Sequence, residues 1–154
     1  MKLGKQLLLF LALGTVLLTA CSKDFCEKDN VISRKNLPVT GAQEVPAKST
    51  KAAGTLDVSY NKDTKVLTYK VSWSGLTGEP IGSHIHGEAP RGENAGIKHD
   101  FTDLLPKTTS GTFSNSVIVD ETAITEEGLL DGLYYVNIHT PTNPGGEIRG
   151  QIEF

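Results

Sequence analysis

The segment KVLTYKVSW, Lys65 to Trp73, alternates without a break: Leu67, Tyr69, Val71 and Trp73 fall on one side and Thr68, Lys70 and Ser72 on the other. A period of two over that length marks a half-buried β-strand, because successive strand side chains point to opposite faces. AGTLDVSY just before it has the same character, and NKDT between the two has the composition of a hairpin turn. Further strands are expected at IGSHIHG, GIKHDF, GTFSNSVIV, GLYYVNIHT and GEIRGQIEF, separated by Gly, Pro and Asn. Only TEEGLLDG reads as helix, one or two turns long, with Thr125 as its N-cap. The pattern predicts an all-β domain, an antiparallel Greek-key β-sandwich or flattened barrel of seven or eight strands with one short helix. Tyr69 and Trp73 lie on the apolar face of the cleanest strand and are expected in the core.

The start of the chain follows a different rule. Lys2 and Lys5 precede an apolar run from Leu7 to Leu18, shorter than the ~20 residues a membrane-spanning helix needs. Leu18-Thr19-Ala20-Cys21 resembles a bacterial lipobox, in which the cysteine is lipidated and becomes the new N-terminus. The expected division is a lipoprotein signal peptide over 1–20, a polar tether over 21–37 and a domain over 38–154. Acyl chains contribute ~0.8 kcal/mol per buried methylene, so a lipidated Cys21 would hold the protein on a membrane. The expected location is the bacterial cell envelope, at the outer membrane.

The whole chain carries 15 basic and 18 acidic residues, and loss of Lys2 and Lys5 leaves 13 against 18. A chain this acidic has no basic stripe with which to displace counterions from phosphates, which argues against nucleic acid as a partner. Of the two cysteines, Cys21 is assigned to lipid, leaving Cys26 without an intramolecular partner. Stability must then come from the hydrophobic core.

Three of the four histidines fall within GSHIHGEAPRGENAGIKHD. Parity places His84 and His86 on one strand face and Ile85 on the other, and burial of Ile85 turns the imidazoles outward. By the same logic Val136 and Ile138 point inward, with Tyr135, Asn137 and His139 outward. Ile148 and Ile152 point inward, with Glu147, Arg149 and Gln151 outward. If these strands are neighbours, His84, His86 and His139 form one outward cluster bordered by Asn137, Glu147 and Arg149. Neutral imidazoles suit copper or zinc, and three of them leave a coordination position open. The other reading is a polar network that fixes loop geometry. Glu147 and Arg149, two residues apart on one face, are expected to form an ion pair or cross-strand bonds. Glu44 is expected at an edge or as a loop anchor. No Ser-His-Asp order, catalytic cysteine or phosphate-cradling loop stands out, which favours binding over catalysis.

TGAQEVPAKSTKAAGTL, SHIHGEAPRGENAGI and LLDGLYYVNIHTPTNPGGEIRGQI resemble, in this order, the three signature blocks of the chordin-type (CHRD) domain. The resemblance extends from about Leu37 to Phe154. Such domains recur in animal chordins, which are extracellular antagonists of bone morphogenetic proteins, and occur singly in secreted bacterial proteins. The resemblance implies a β-sandwich outside the cytoplasm that binds a protein or a small ligand. A weaker similarity is to the copper-site plan of copper–zinc superoxide dismutases. It implies His84, His86 and His139 as copper ligands, His99 as the candidate bridging ligand and Arg149 near the place of an anion-guiding arginine. The chain departs from that plan in having no histidine-rich zinc loop and no cysteine pair for the stabilising disulfide.

Overall fold

The computed structural model describes residues 30–154. The lipobox, Cys21 and Cys26 lie outside the described residues. Eight strands, β1 (Val31–Thr40), β2 (Ala53–Asn61), β3 (Val66–Ser74), β4 (Gly82–His86), β5 (Ile97–Asp100), β6 (Gly111–Ile118), β7 (Tyr135–His139) and β8 (Ile148–Gln151), form one sheet in the order β5-β4-β7-β8-β1-β2-β3-β6. Every neighbouring pair is antiparallel. The sheet curls into a flattened, nearly closed barrel, as the sequence predicts.

Alternation explains its interior. In β3 Leu67, Tyr69, Val71 and Trp73 are all buried. They meet Leu56, Val58 and Tyr60 of β2, Ile85 of β4, Val136 and Ile138 of β7, and Ile148 of β8. The β2–β3 hairpin closes as expected, with Asn61 Oδ1 accepting from the backbone N–H groups of Asp63 and Thr64. The helix α1 (Glu126–Leu130) begins at Thr125, whose hydroxyl accepts from Gly128 N. The barrel's seam lies between the outer strands β5 and β6. Side chains bridge it, with Phe101 stacked on Phe113 at 5.7 Å and 6° from parallel.

The structure corrects one boundary. β1 starts at Val31, inside the stretch read as tether, and pairs with β2 from Val31↔Asn61 to Thr40↔Ala53. Its sequence VISRKNLPVT shows no clean alternation because most of its side chains are exposed. A bulge between Arg34 and Leu37 and a positive φ at Asn36 break the period. Ile32, Leu37 and Val39 reach the core at uneven spacing, and the backbone pairing that completes the strand's hold leaves little mark on composition. Among the described residues no helix is long and apolar enough to cross a membrane.

Candidate metal centre and the polar layer around it

The register of β4 against β7 builds the centre. Gly82 opposes His139, His84 opposes Asn137 and His86 opposes Tyr135, so all six lie on one face, while Ile85 and Val136 oppose each other on the core face. Gly82 gives the rings their room. A Cβ there would sit 3.2 Å from His139 Cδ2 and 3.2 Å from His84 Cε1.

His84 Nδ1 lies 3.1 Å from His139 Nε2. Asn137 Oδ1 lies 2.9 Å from His139 Nε2 and 3.1 Å from His86 Nε2. One nitrogen from each ring, for all three histidines, falls within 4.8 Å of the others. The outward nitrogens are engaged elsewhere. His86 Nδ1 donates to Ala95 O and His139 Nδ1 to Pro144 O, each at 2.9 Å. A carbonyl only accepts, so these Nδ1 atoms carry the hydrogens and the Nε2 atoms carry lone pairs when the rings are neutral. His84 Nε2 sits 3.5 Å from Thr102 Oγ1 and 3.8 Å from Asp100 Oδ1. Hydrogen bonds from Thr102 hold the Asp100 carboxyl below its usual range, and that charge draws the His84 hydrogen to Nε2. His84 Nδ1 is then a third inward lone pair.

Burial keeps the rings neutral. It lowers His84 to about 4, helped by His139 and His86 and opposed by Asp100. Burial also lowers His86 and His139, against the hydrogen bonds to Ala95 and Pro144. Three inward lone pairs facing one another need either a cation among them or an Asn137 amide turned to donate. His84 and His139 also wall a surface cleft of about 490 Å³ shared with Asp100, Thr102 and Asp103, so the centre opens to solvent.

The face predicted to be outward is turned away from the core, yet it is covered. Asn137, Glu147, Arg149 and Gln151 are each 3 % exposed or less. Loop 87–96 lies over Arg149, Gln151 and Tyr135 and is sewn down by their side chains. Arg149 Nη1 donates to Glu93 O at 2.8 Å, Gln151 Nε2 to Ala89 O at 3.0 Å, and Tyr135 Oη accepts from Ala95 N at 3.2 Å.

Two further expectations fail. Glu147 does not pair with Arg149 or border the histidines through a hydrogen bond. Its carboxylate accepts from the hydroxyls of Thr50, Thr77 and Thr140, each at 2.7 Å. Burial pushes this carboxyl up, and the hydrogen bonds from Thr140, Thr50 and Thr77 outweigh it and hold the group below the usual range. Glu147 thus ties three loops together. His99, the candidate bridging ligand, does not join the other three histidines. It pairs with Ile85 on the opposite face of β4 and packs against Phe101 and Tyr69, with Nε2 buried and unpartnered among the described residues.

Sequence reading missed Gly82 and the two carbonyls that fix the tautomers. The one signal for Gly82 was its place two residues before His84, on the same face.

A family model described as the CHRD domain matches residues 36–152. The chain belongs to the CHRD family. No curated protein and no solved structure matches it.

Proposed function

We propose that this CHRD domain is a binding module anchored in the cell envelope that holds a single copper or zinc ion through His84 Nδ1, His86 Nε2 and His139 Nε2. The carrying observation is the convergence of three imidazole nitrogens whose opposite ring nitrogens face two backbone carbonyls and a carboxylate–hydroxyl pair. Such outer partners set tautomer and orientation in histidine metal sites. Metal–nitrogen bonds of 2.0–2.1 Å allow two ligand nitrogens to lie at most about 4.2 Å apart. The widest separation here is within 4.8 Å, so a small ring rotation completes the fit. Family membership supports a binding or interaction role, and the bound ion would present the open cleft to a ligand. Dismutation is not part of the proposal, because His99 lies across the sheet from the other three histidines.

Titration of the mature chain with copper and zinc, followed by elemental analysis, tests this reading. One equivalent should bind near neutral pH. His84→Ala, His86→Ala and His139→Ala should each abolish it with the fold retained, and His99→Ala should not. Wild-type protein that takes up no metal, with the same three variants losing only thermal stability, would establish the polar network instead. The anchoring rests on the Leu18–Cys21 lipobox. Cys21→Ser should abolish lipid labelling and release the protein from the membrane fraction; unchanged labelling would refute it.

A further inference from the structure

A second cavity, of about 220 Å³, lies under loop 87–96 and η1 (Gly41–Gln43), with Gln43, Glu44, Arg91, Arg149 and Gln151 in its wall. It shares no lining residue with the histidine cleft. Two buried ionisable side chains, Glu44 and Arg149, face this space without forming an ion pair.

Arg149 is 1 % exposed. Its Cζ lies 3.4 Å from the centre of the Tyr135 ring, Nη1 donates to Glu93 O and Nη2 to Gln151 Oε1 at 3.2 Å. None of these partners carries a charge, and no carboxylate of the described residues is within ion-pairing distance. The two hydrogen bonds use two of its five N–H hydrogens. A buried charge is ordinarily paired, because removing it from water costs more than neutral hydrogen bonds return.

Glu44 is 5 % exposed, and its Oε1 has no hydrogen-bond partner among the described residues. The carboxyl packs on Gly146, where any side chain would collide with it. Burial pushes it up to about 7, although Arg149 and Lys48 pull the other way. Near neutrality a large share of Glu44 is therefore protonated, and it is too distant from the guanidinium to neutralise it. The cavity thus has a cationic wall with free donors and, opposite, a carboxyl able to donate one more hydrogen. Arg91 fastens the mouth through a two-pronged ion pair to Glu153, 2.7 and 2.9 Å, and a bond to Gln43 Oε1.

We infer that the cavity between Glu44 and Arg149 is a binding site for a small organic carboxylate, which supplies the counter-charge Arg149 lacks and accepts hydrogens from both residues. The site touches the histidine centre only through Tyr135, whose ring contacts both Arg149 and His86. The carboxylate is selected over a neutral amide of the same shape because only the anion pairs with the guanidinium.

The test uses metal-free mature protein with carbon-13 acetate as probe and acetamide as its neutral counterpart, followed by NMR. Acetate should bind saturably, with shift changes concentrated at Gln43, Glu44, Gly92, Arg149 and Gln151, and acetamide should bind about tenfold more weakly or not at all. Glu44→Gln, which keeps a donor, should retain acetate within a few-fold. Arg149→Gln should lose it. Should Arg149→Gln not fold, the wild-type shift map and the acetate–acetamide comparison decide on their own. No saturable shift at these residues, shifts mapping to the histidine cleft, or acetamide binding as tightly as acetate would each overturn the inference.

Discussion

The imidazole of His86 lies flat on the phenol ring of Tyr135, with centroids 4.9 Å apart and planes 4° from parallel. The Arg149 guanidinium also packs on that ring, with Cζ 3.4 Å from its centroid, so a guanidinium, a phenol and an imidazole are in mutual contact through Tyr135. Ala95 closes the arrangement, since its N–H donates to Tyr135 Oη and its carbonyl accepts from His86 Nδ1. Tyr135→Phe keeps the stack and removes one hydrogen-bond acceptor, so it should lower stability by about 1 kcal/mol with metal affinity nearly unchanged. Tyr135→Leu removes the stack that holds the His86 ring plane and should weaken metal binding by about 10–100-fold. Thermal melts and metal competition assays separate the two effects. Equal affinity in Tyr135→Leu would show that the stack does not orient His86.

Metal and protons compete for the same nitrogens. Burial holds His84 down to about 4 and lowers His86 and His139 as well. An exposed histidine site begins to lose metal as pH falls through ~6.5. This one should keep its apparent affinity through that range and lose it lower. A fall-off that tracks ordinary histidine titration would mean that the rings are solvated in solution.

Much of this architecture was legible in the sequence, and the limits of that legibility have a physical cause. The alternation of β2 and β3, the Thr125 cap and the parity that separates His84 and His86 from Ile85 each follow from local geometry, and the structure repeats them. Parity gives the face of a residue, not what lies over that face. Arg149 and Gln151 therefore read as outward residues and are buried, because the aperiodic loop 87–96 covers them. Glu147 read as a partner for Arg149 by sequence distance, whereas its true partners Thr50, Thr77 and Thr140 come from three separate loops. His99 was misplaced for a related reason. A strand of only four residues, two of them charged, shows too little alternation to reveal its buried side.

Glu44 and His84 should tilt the stability of the metal-free protein in opposite directions with pH. For Glu44 the folded value, about 7, lies above its unattached value of 4.5. Its contribution is fully present below the unfolded value and is lost as pH rises through 7, a change of about 3 kcal/mol in all. For His84 the folded value, about 4, lies below its unattached value of 6.5. That contribution is present above 6.5 and is lost as pH falls through 4. Glu44→Gln is neutral at every pH, so it should match wild type near pH 4 and exceed it in alkaline solution. Urea denaturation across that range reads the difference directly. A variant whose stability runs parallel to wild type would place Glu44 in water.

Gly82 provides the sharpest test of how the histidines are brought together, because its role is purely one of space. It opposes His139 in the β4–β7 pair and precedes His84 by two residues on the same face. A methyl group there would press on both rings at 3.2 Å, closer than carbon atoms settle without displacement. The backbone is already extended at this strand position, and alanine adopts it readily. Gly82→Ala should therefore fold, with stability within about 1 kcal/mol of wild type. The rings of His84 and His139 must then part by a few tenths of an ångström. Their nitrogens, 3.1 Å apart in the native protein, stay within reach of one ion, but the rings turn as they part, and lone pairs that no longer aim at one point should lower metal affinity by about tenfold. Competition against a chelator of known strength measures that loss, and a crystal structure of the variant shows whether the rings moved. Unchanged affinity with displaced rings would mean that His84 and His139 do not hold one ion between them.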